Sequence, residues 1–377
     1  MNFLKGKAIF VPAMSHDNIS KWKANIMISE HDTKFFTEKS FFKYNFILAS
    51  SYYQLDANVE NFRQQNNYPI ENTLIIDSSG YQVASFARKG KPFEYTPLQI
   101  LRWMEANADI GMSLDVPPWD NFNAALKQSL ENFSFFEKNR LNYDMKLYNI
   151  LHGKTLDEMK HWYNAVKDFP FDGWALGVRP SDNIYLQTIG YMFLQEMDAP
   201  NLNTNFHMFG ISGLKNMLTM PMLSTYFNSM ITFDSSSYDS GTRFRRFCFP
   251  KDVRFSTEFG RSAKKSMKSI PCNCPVCRNI TIEDLYRQDG PTAYLLLPLH
   301  NLYQYIEVNR MTNAIVTDDH ALDEYAASVN ETQTINTIRQ MFKSYEEEGC
   351  EKTYNKFKHL MTLRCTDTKA SNLFSVV

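Results

Sequence analysis

Three aspartates each close a short apolar run of this chain: Asp77 ends 73–77, Asp115 ends 110–115 and Asp234 ends 230–234. His152 closes a fourth run, 146–152. Carboxylates gathered in one place repel each other unless a cation, a substrate donor or a shared proton relieves the charge. Two of them suffice for displacement at an anomeric carbon. One attacks and forms a covalent glycosyl intermediate, while the other protonates the leaving group and then deprotonates the incoming one. A third can hold a purine by accepting from a ring N–H and an exocyclic amine. The competing use of an Asp after a strand is to cap the next helix, and residue types alone do not choose between the two.

A second constellation lies further on. Cys272, Cys274 and Cys277 form C-x-C-x-x-C, and His300 follows after one more segment. Three thiolates and an imidazole fill a tetrahedral Zn²⁺ shell and leave no open position, so the expected role is structural. Unrelated thiols or a redox pair are the alternative. Between Gly241 and Lys268 stand nine basic residues, among them Arg243, Arg245, Arg246, Lys264 and Lys265, against only Asp252 and Glu258. Phe244, Phe247, Phe249, Phe255 and Phe259 are interleaved with them. Cations for phosphates beside rings for bases make a nucleic-acid contact. A solvated loop with its rings packed inward is the plainer reading.

The elements that must position these groups read as alternating strands and helices. Eight β-prone apolar runs recur, at 8–12, 46–50, 73–77, 110–115, 146–152, 173–178, 205–210 and 230–234. They are continuously apolar rather than alternating, as parallel strands buried on both faces are. Amphipathic stretches at 97–107, 120–138, 156–167, 181–197 and 212–227 read as the intervening helices, with Ser181 and Ser212 as candidate N-caps. Eight such units predict an α/β fold, a closed (β/α)₈ TIM barrel, with a doubly wound open sheet as the competitor. In a barrel every C-terminal strand end faces one mouth, so distant residues converge there. The expected organisation is a catalytic barrel over 1–240, a basic segment with a C-terminal zinc-binding subdomain over 241–310, and a helical region over 311–377 that packs on the barrel.

Composition excludes several classes. The chain has 377 residues, 44% hydrophobic and 21% charged, with a formal net charge of −1. That is a globular composition and not a disordered one. No apolar run reaches the length of a membrane-spanning helix. The N-terminus lacks the pattern of a signal peptide. Six cysteines, three of them within six residues, suit a metal site in a reducing compartment better than a disulfide framework. A cytoplasmic protein is expected.

Together these segments resemble the tRNA-guanine transglycosylase superfamily over about residues 70–310. Asp77-Ser78-Ser79-Gly80-Tyr81-Gln82 resembles the family's D-S-G-G-[FY]-Q. Leu114-Asp115-Val116-Pro117 resembles the L-D-I-P of archaeal members, and Phe233-Asp234-Ser235-Ser236-Ser237-Tyr238 their F-D-S-A-S-Y. Cys272, Cys274, Cys277 and His300 match the family's zinc ligands, and His300-Asn301-Leu302 its H-N-L.

The resemblance implies that Asp234 is the nucleophile at the ribosyl C1′, Asp77 the general acid/base, and Asp115 the reader of the base edge. It also implies that Tyr81 and Phe209 stack on the base, that Ser78 and Gln82 line the pocket, and that the Gly177 backbone touches the base. His152 stands where the family has Gln, Ser79 replaces a glycine, and Val178-Arg179 replaces part of a G-G-L loop. The bacterial T-R-x-G-R-N-G signature is absent, and the chain stops soon after the zinc region. These last two absences point to the smaller DNA-guanine transglycosylases of deazaguanine DNA-modification systems in phages and bacteria, so a DNA substrate and an incoming 7-deazaguanine base such as preQ0 are expected. A phage-encoded protein would act in the host cytoplasm. Homodimerisation or helper proteins belong to the same expectation. A tRNA enzyme with the same chemistry, a non-catalytic partner subunit, and an unrelated barrel glycosidase are the alternatives.

Overall fold

Runs of Ile, Leu, Val and Phe without polar alternation can be strands only where both faces are covered, and this one requirement organises the molecule. The computed structural model describes residues 5–14, 22, 27–28, 30–177, 183–202, 205–240, 246–256, 268–283 and 291–361. Eight parallel strands form one sheet: β1 (Ala8–Pro12), β2 (Phe46–Ser50), β3 (Thr73–Asp77), β4 (Ile110–Met112), β5 (Lys146–Leu151), β6 (Gly173–Leu176), β7 (Phe206–Met208) and β8 (Ile231–Ser235). Each strand pairs with the next in sequence from β2 to β8, and β8 pairs with β1. That cyclic order excludes the open doubly wound sheet, in which strand order reverses at a switch point.

Closure at the β1–β2 seam is slight in backbone terms. One parallel bridge, Ala13 to Leu48, joins them, with Met14 N–H donating to the Leu48 carbonyl at 2.8 Å. Below it, side chains replace the missing ladder. Asn309 accepts from Phe10 N–H at 3.0 Å, and Asn313 accepts from Ala8 N–H at 2.9 Å and donates to the Ala8 carbonyl at 2.8 Å. The Tyr44 hydroxyl donates to the Phe10 carbonyl. A buried backbone group left unpaired costs as much as a lost hydrogen bond, so these amides let β1 part from β2 at little penalty.

Inside the barrel Val11, Leu48, Ile75, Met112, Tyr148, Ile150 and Ala175 form one apolar plug, with Phe209 packed against it. A second, larger core lies between the strands and the surrounding helices. Those helices are α1 (Ser51–Asp56), α2 (Phe62–Asn66), α3 (Gly80–Arg88), α4 (Pro97–Asn107), α5 (Phe122–Asn139), α6 (Leu156–Val166), α7 (Ile184–Leu202), α8 (Leu214–Tyr226) and α9 (Ser237–Ser240). Local sequence explains α4 well. Thr96 and Gln99 form a capping box, Pro97 takes the first turn, and Ile100, Leu101, Trp103 and Met104 are buried. Leu98 falls outside that stripe and is exposed. The N-cap of α8 is Gly213 and not Ser212, while Ser181 lies outside the described residues.

After the barrel come α10 (Pro291–Ile315), α11 (Asp319–Ser328) and α12 (Thr332–Met361). Helix α10 brings Asn309 and Asn313 to β1. Helix α12 lies on α7 and α8, where Phe342 stacks on Tyr226 at 4.2 Å and Cys350 N–H donates to Glu196 at 2.7 Å. Among the described residues no helix is long and apolar enough to cross a membrane.

Candidate active site and metal centre

The sheet brings the strand-end residues together at one mouth. Asp77 is the last residue of β3, and Asp234 lies one residue from the end of β8. Strand alternation puts Asp77 on the inward side of Ile75, which belongs to the barrel plug. Asp115 lies just beyond β4 and His152 directly after β5. Neither Asp77 nor Asp115 caps a helix: those positions fall to Ser79 for α3 and Asn121 for α5.

The electrostatics separate the carboxylates. Burial pushes Asp77 from 3.8 up to about 7; the Asp115 charge adds to this, the Ser79 N–H opposes it, and Asp234 contributes a further upward push. A carboxyl that titrates near neutrality suits proton transfer in both directions. Asp234 differs. Its Oδ1 accepts from the Gly210 N–H at 2.9 Å and lies 3.2 Å from His207 Nε2. One oxygen is thus anchored. Among the described residues no hydrogen bond reaches the other, which is the arrangement a nucleophilic carboxylate needs.

His207 is fully buried, and its second nitrogen sits 3.0 Å from the Thr232 hydroxyl. The sequence reading missed it. Its parity with Phe209 along β7 was the available signal, since both must point inward together.

Asp115 is bound tightly from the side: its Oδ2 lies 2.6 Å from His152 Nε2, and His152 Nδ1 lies 2.7 Å from the Gly177 carbonyl. Two glycines make this approach possible. A Cβ on Gly80 would fall 2.1 Å from the Asp115 carbonyl oxygen, and one on Gly177 would fall 2.6 Å from His152 Cε1. The Gly177 N–H itself donates to the Leu151 carbonyl at 3.0 Å.

The remaining expected pocket residues are near but differently engaged. The Ser78 hydroxyl donates to the Ser113 carbonyl at 2.9 Å. Gln82 is half-buried, and its Oε1 has no partner among the described residues. Tyr81 is exposed and meets Trp119 edge-on at 4.9 Å. Phe209 is half-buried at the top of the plug.

Ser79 explains one departure from the expected motif. Its φ is 74°, in the left-handed region that favours glycine. The hydroxyl compensates: it lies 2.9 Å from Ser50 Oγ and 2.8 Å from Ser51 Oγ, and accepts from Tyr52 N–H at 2.8 Å. The residue that donates to Asp77 is therefore moored to the end of β2.

The Cys272, Cys274, Cys277 and His300 ligand atoms lie within 4.8 Å of one another. The set fits a divalent metal on its own chemistry. Hydrogen bonds from Cys274 and Cys277 hold Cys272 well below the ordinary thiol range, and hydrogen bonding to Cys272 pushes Cys274 up to about 11. Three close thiols thus tolerate one negative charge, and a cation relieves the rest. His300 Nε2 donates to the Cys248 carbonyl at 2.8 Å, which turns Nδ1 toward the Cys274 and Cys277 sulfurs at 3.4 and 3.1 Å, as a ligand must point. The adjacent Asn301 accepts from Cys248 N–H at 3.0 Å and donates to the Tyr238 and Arg246 carbonyls at 3.2 and 2.9 Å. The Cys₃His cluster is thereby tied to the segment that follows β8.

Of the basic stretch, Arg243, Arg245, Lys264 and Lys265 lie outside the described residues. Arg246 is exposed, and Arg254 is paired with Asp252 at 2.7 Å. Phe247 is buried and stacks on His300 at 4.0 Å, so this ring packs the Cys₃His cluster and is not open to a base.

The protein is thus a (β/α)₈ barrel with carboxylates at its mouth and a Cys₃His cluster in the segments that follow its last strand. The sequence profile of the queuine tRNA-ribosyltransferase family matches residues 4–334, and the chain belongs to that family. It is 25% identical over 297 residues to the tRNA-guanine(15) transglycosylase of Saccharolobus solfataricus, covering 74% of this chain and 54% of that enzyme. It is 27% identical over 263 residues to the enzyme of the same name from Methanococcus vannielii, covering 65% of this chain and 37% of that protein. The chain thus spans about half or less of the length of these relatives.

Proposed function

We propose that this protein exchanges guanine in a polynucleotide for a 7-deazaguanine-type base such as preQ0, through a covalent glycosyl-aspartate. The observation that supports it best is the division of labour at the mouth: Asp77 pushed up to about 7, and Asp234 with one oxygen anchored and the other without a hydrogen bond among the described residues. Asp234 attacks the ribosyl C1′ as the bond to guanine N9 breaks. Asp77 gives its proton to the departing base. The incoming base returns a proton to Asp77, attacks C1′ and releases Asp234. Asp115 accepts from the base edge, with Tyr81 and Phe209 on either face and Ser78, Gln82 and Gly177 as walls. The target guanine must leave its stack for C1′ to reach Asp234. Zn²⁺ held by Cys272, Cys274, Cys277 and His300 would take no part in this chemistry; it would hold the Phe247–Cys248 strand against α10.

The relatives named above carry the names of tRNA enzymes, and this favours tRNA over the DNA substrate expected from the departures in sequence. Arg243, Arg245, Arg246, Lys264 and Lys265 are the proposed phosphate contacts. Labelled guanine is offered with unmodified tRNA and, separately, with duplex and single-stranded DNA. Incorporation into tRNA that Asp234→Ala abolishes is the expected result. Incorporation into DNA alone would reverse the choice of polymer, and none into either would refute base exchange.

A further inference from the structure

The His152 imidazole is engaged at both of its nitrogens. Its Nδ1 lies 2.7 Å from the Gly177 carbonyl, and a carbonyl oxygen only accepts, so Nδ1 carries hydrogen. Its Nε2 lies 2.6 Å from Asp115 Oδ2, and one proton lies between them. The ring cannot swing away. It is 3% exposed, meets Trp162 edge-on at 4.8 Å, and has the Gly177 Cα where any Cβ would strike Cε1.

Both ring nitrogens are therefore spent on protein. The neighbouring Gly177 N–H is spent on Leu151. Among the described residues, neither the His152 ring nor the Gly177 N–H is left to donate to a base oxygen. Asp115 is different: Oδ2 is taken by the imidazole, and among the described residues nothing bonds to Oδ1. A carboxamide in place of the imidazole would carry two N–H groups and could keep one on protein while turning the other to the ligand.

We propose that His152 determines specificity by holding Asp115 as a one-sided acceptor, so that the base is selected by its N1–H and 2-amino edge and scarcely by its 6-substituent. This rests on the base-exchange reading and deepens it. A site that hydrogen-bonds a ligand donor rejects the analogue that lacks it, whereas a substituent that meets no donor is read only by its size.

The test is competition among free bases for the full chain, at a pH where each is neutral. Guanine, hypoxanthine (no 2-amino group) and 6-thioguanine (sulfur for the 6-oxygen) are compared by displacement of labelled guanine. The expected order in the natural protein is 6-thioguanine within about threefold of guanine and hypoxanthine weaker by roughly 10- to 100-fold. In His152→Gln the freed amide reads the 6-oxygen, and 6-thioguanine falls about tenfold against guanine. Rejection of 6-thioguanine by the natural protein as strongly as hypoxanthine would overturn the proposal without any variant being needed. So would an unchanged ranking in a folded His152→Gln. Failure of guanine itself to bind, with no exchange into either polymer, would overturn the base-exchange reading as well.

Discussion

Replacing Asp77 by Asn should abolish exchange and yet make the protein more stable, and the gain should depend on pH in a defined way. Asp77 titrates at about 7 in the folded chain, against 3.8 as an ordinary carboxyl, chiefly because burial penalises its charge. Below about pH 4 the group is protonated in both folded and unfolded chains, so it exerts no pH-linked penalty there. As pH rises from there the unfolded chain releases the proton and the folded chain keeps it. Stability falls, and the loss is complete above about pH 7. At ~1.4 kcal/mol per tenfold change, the displacement sets an upper bound of about 4 kcal/mol. Asp77 retains some exposure at the mouth, and solvent screening brings the expected figure to about 1–2 kcal/mol. Asparagine has the same shape, accepts the same Ser79 N–H and carries no charge. Denaturant unfolding of both proteins at pH 4, 6 and 8 gives the difference directly. It should be near zero at pH 4 and largest at pH 8. A difference that is constant with pH, or that grows toward acid, would refute the assignment of burial as the cause.

Ser79→Ala keeps the left-handed backbone and loses the hydroxyl node, and should cost about 1–3 kcal/mol in chemical denaturation; Ser79→Gly loses the same bonds but relaxes the backbone, and should be less damaged by about 1 kcal/mol. Gly80→Ala forces a Cβ to 2.1 Å from the Asp115 carbonyl, so it should lower the melting temperature and weaken guanine binding together; an unperturbed melt would show that the loop yields freely. Elemental analysis of purified protein should find about one metal ion per chain, lost in Cys277→Ser along with protection of the Phe247–Cys248 amides from hydrogen exchange.

Which groups make up the candidate site was legible in the residues because its logic is local. A carboxylate at the end of an apolar run, or three thiols within six positions, is chemically improbable unless something uses it, and such signals need no knowledge of distant contacts. The barrel was readable for a similar reason, since eight runs with no polar face must be covered on both sides. What escaped was everything set by side chains from remote elements. His207 against Asp234, and the Ser50–Ser51–Ser79 node, join residues tens of positions apart. In the basic stretch, one ring, Phe247, turns inward onto His300, a partner on a distant helix that the run of charges and rings did not announce.

By itself, then, the order of residues determined which groups reach the mouth, because strand direction and the alternation of side chains are properties of the local chain. Only the tertiary structure decided how each was held and charged. The shift of Asp77 depends on burial and on the charges of Asp115 and Asp234, which arrive on other strands. The state of Asp115 depends on an imidazole from the end of β5 and a carbonyl from the end of β6. Even the open part of the β1–β2 seam depends on Asn309 and Asn313, some three hundred residues beyond the strand they serve. Electrostatic and hydrogen-bond energies fall off with distance through space and not along the chain, so no local pattern could have reported them.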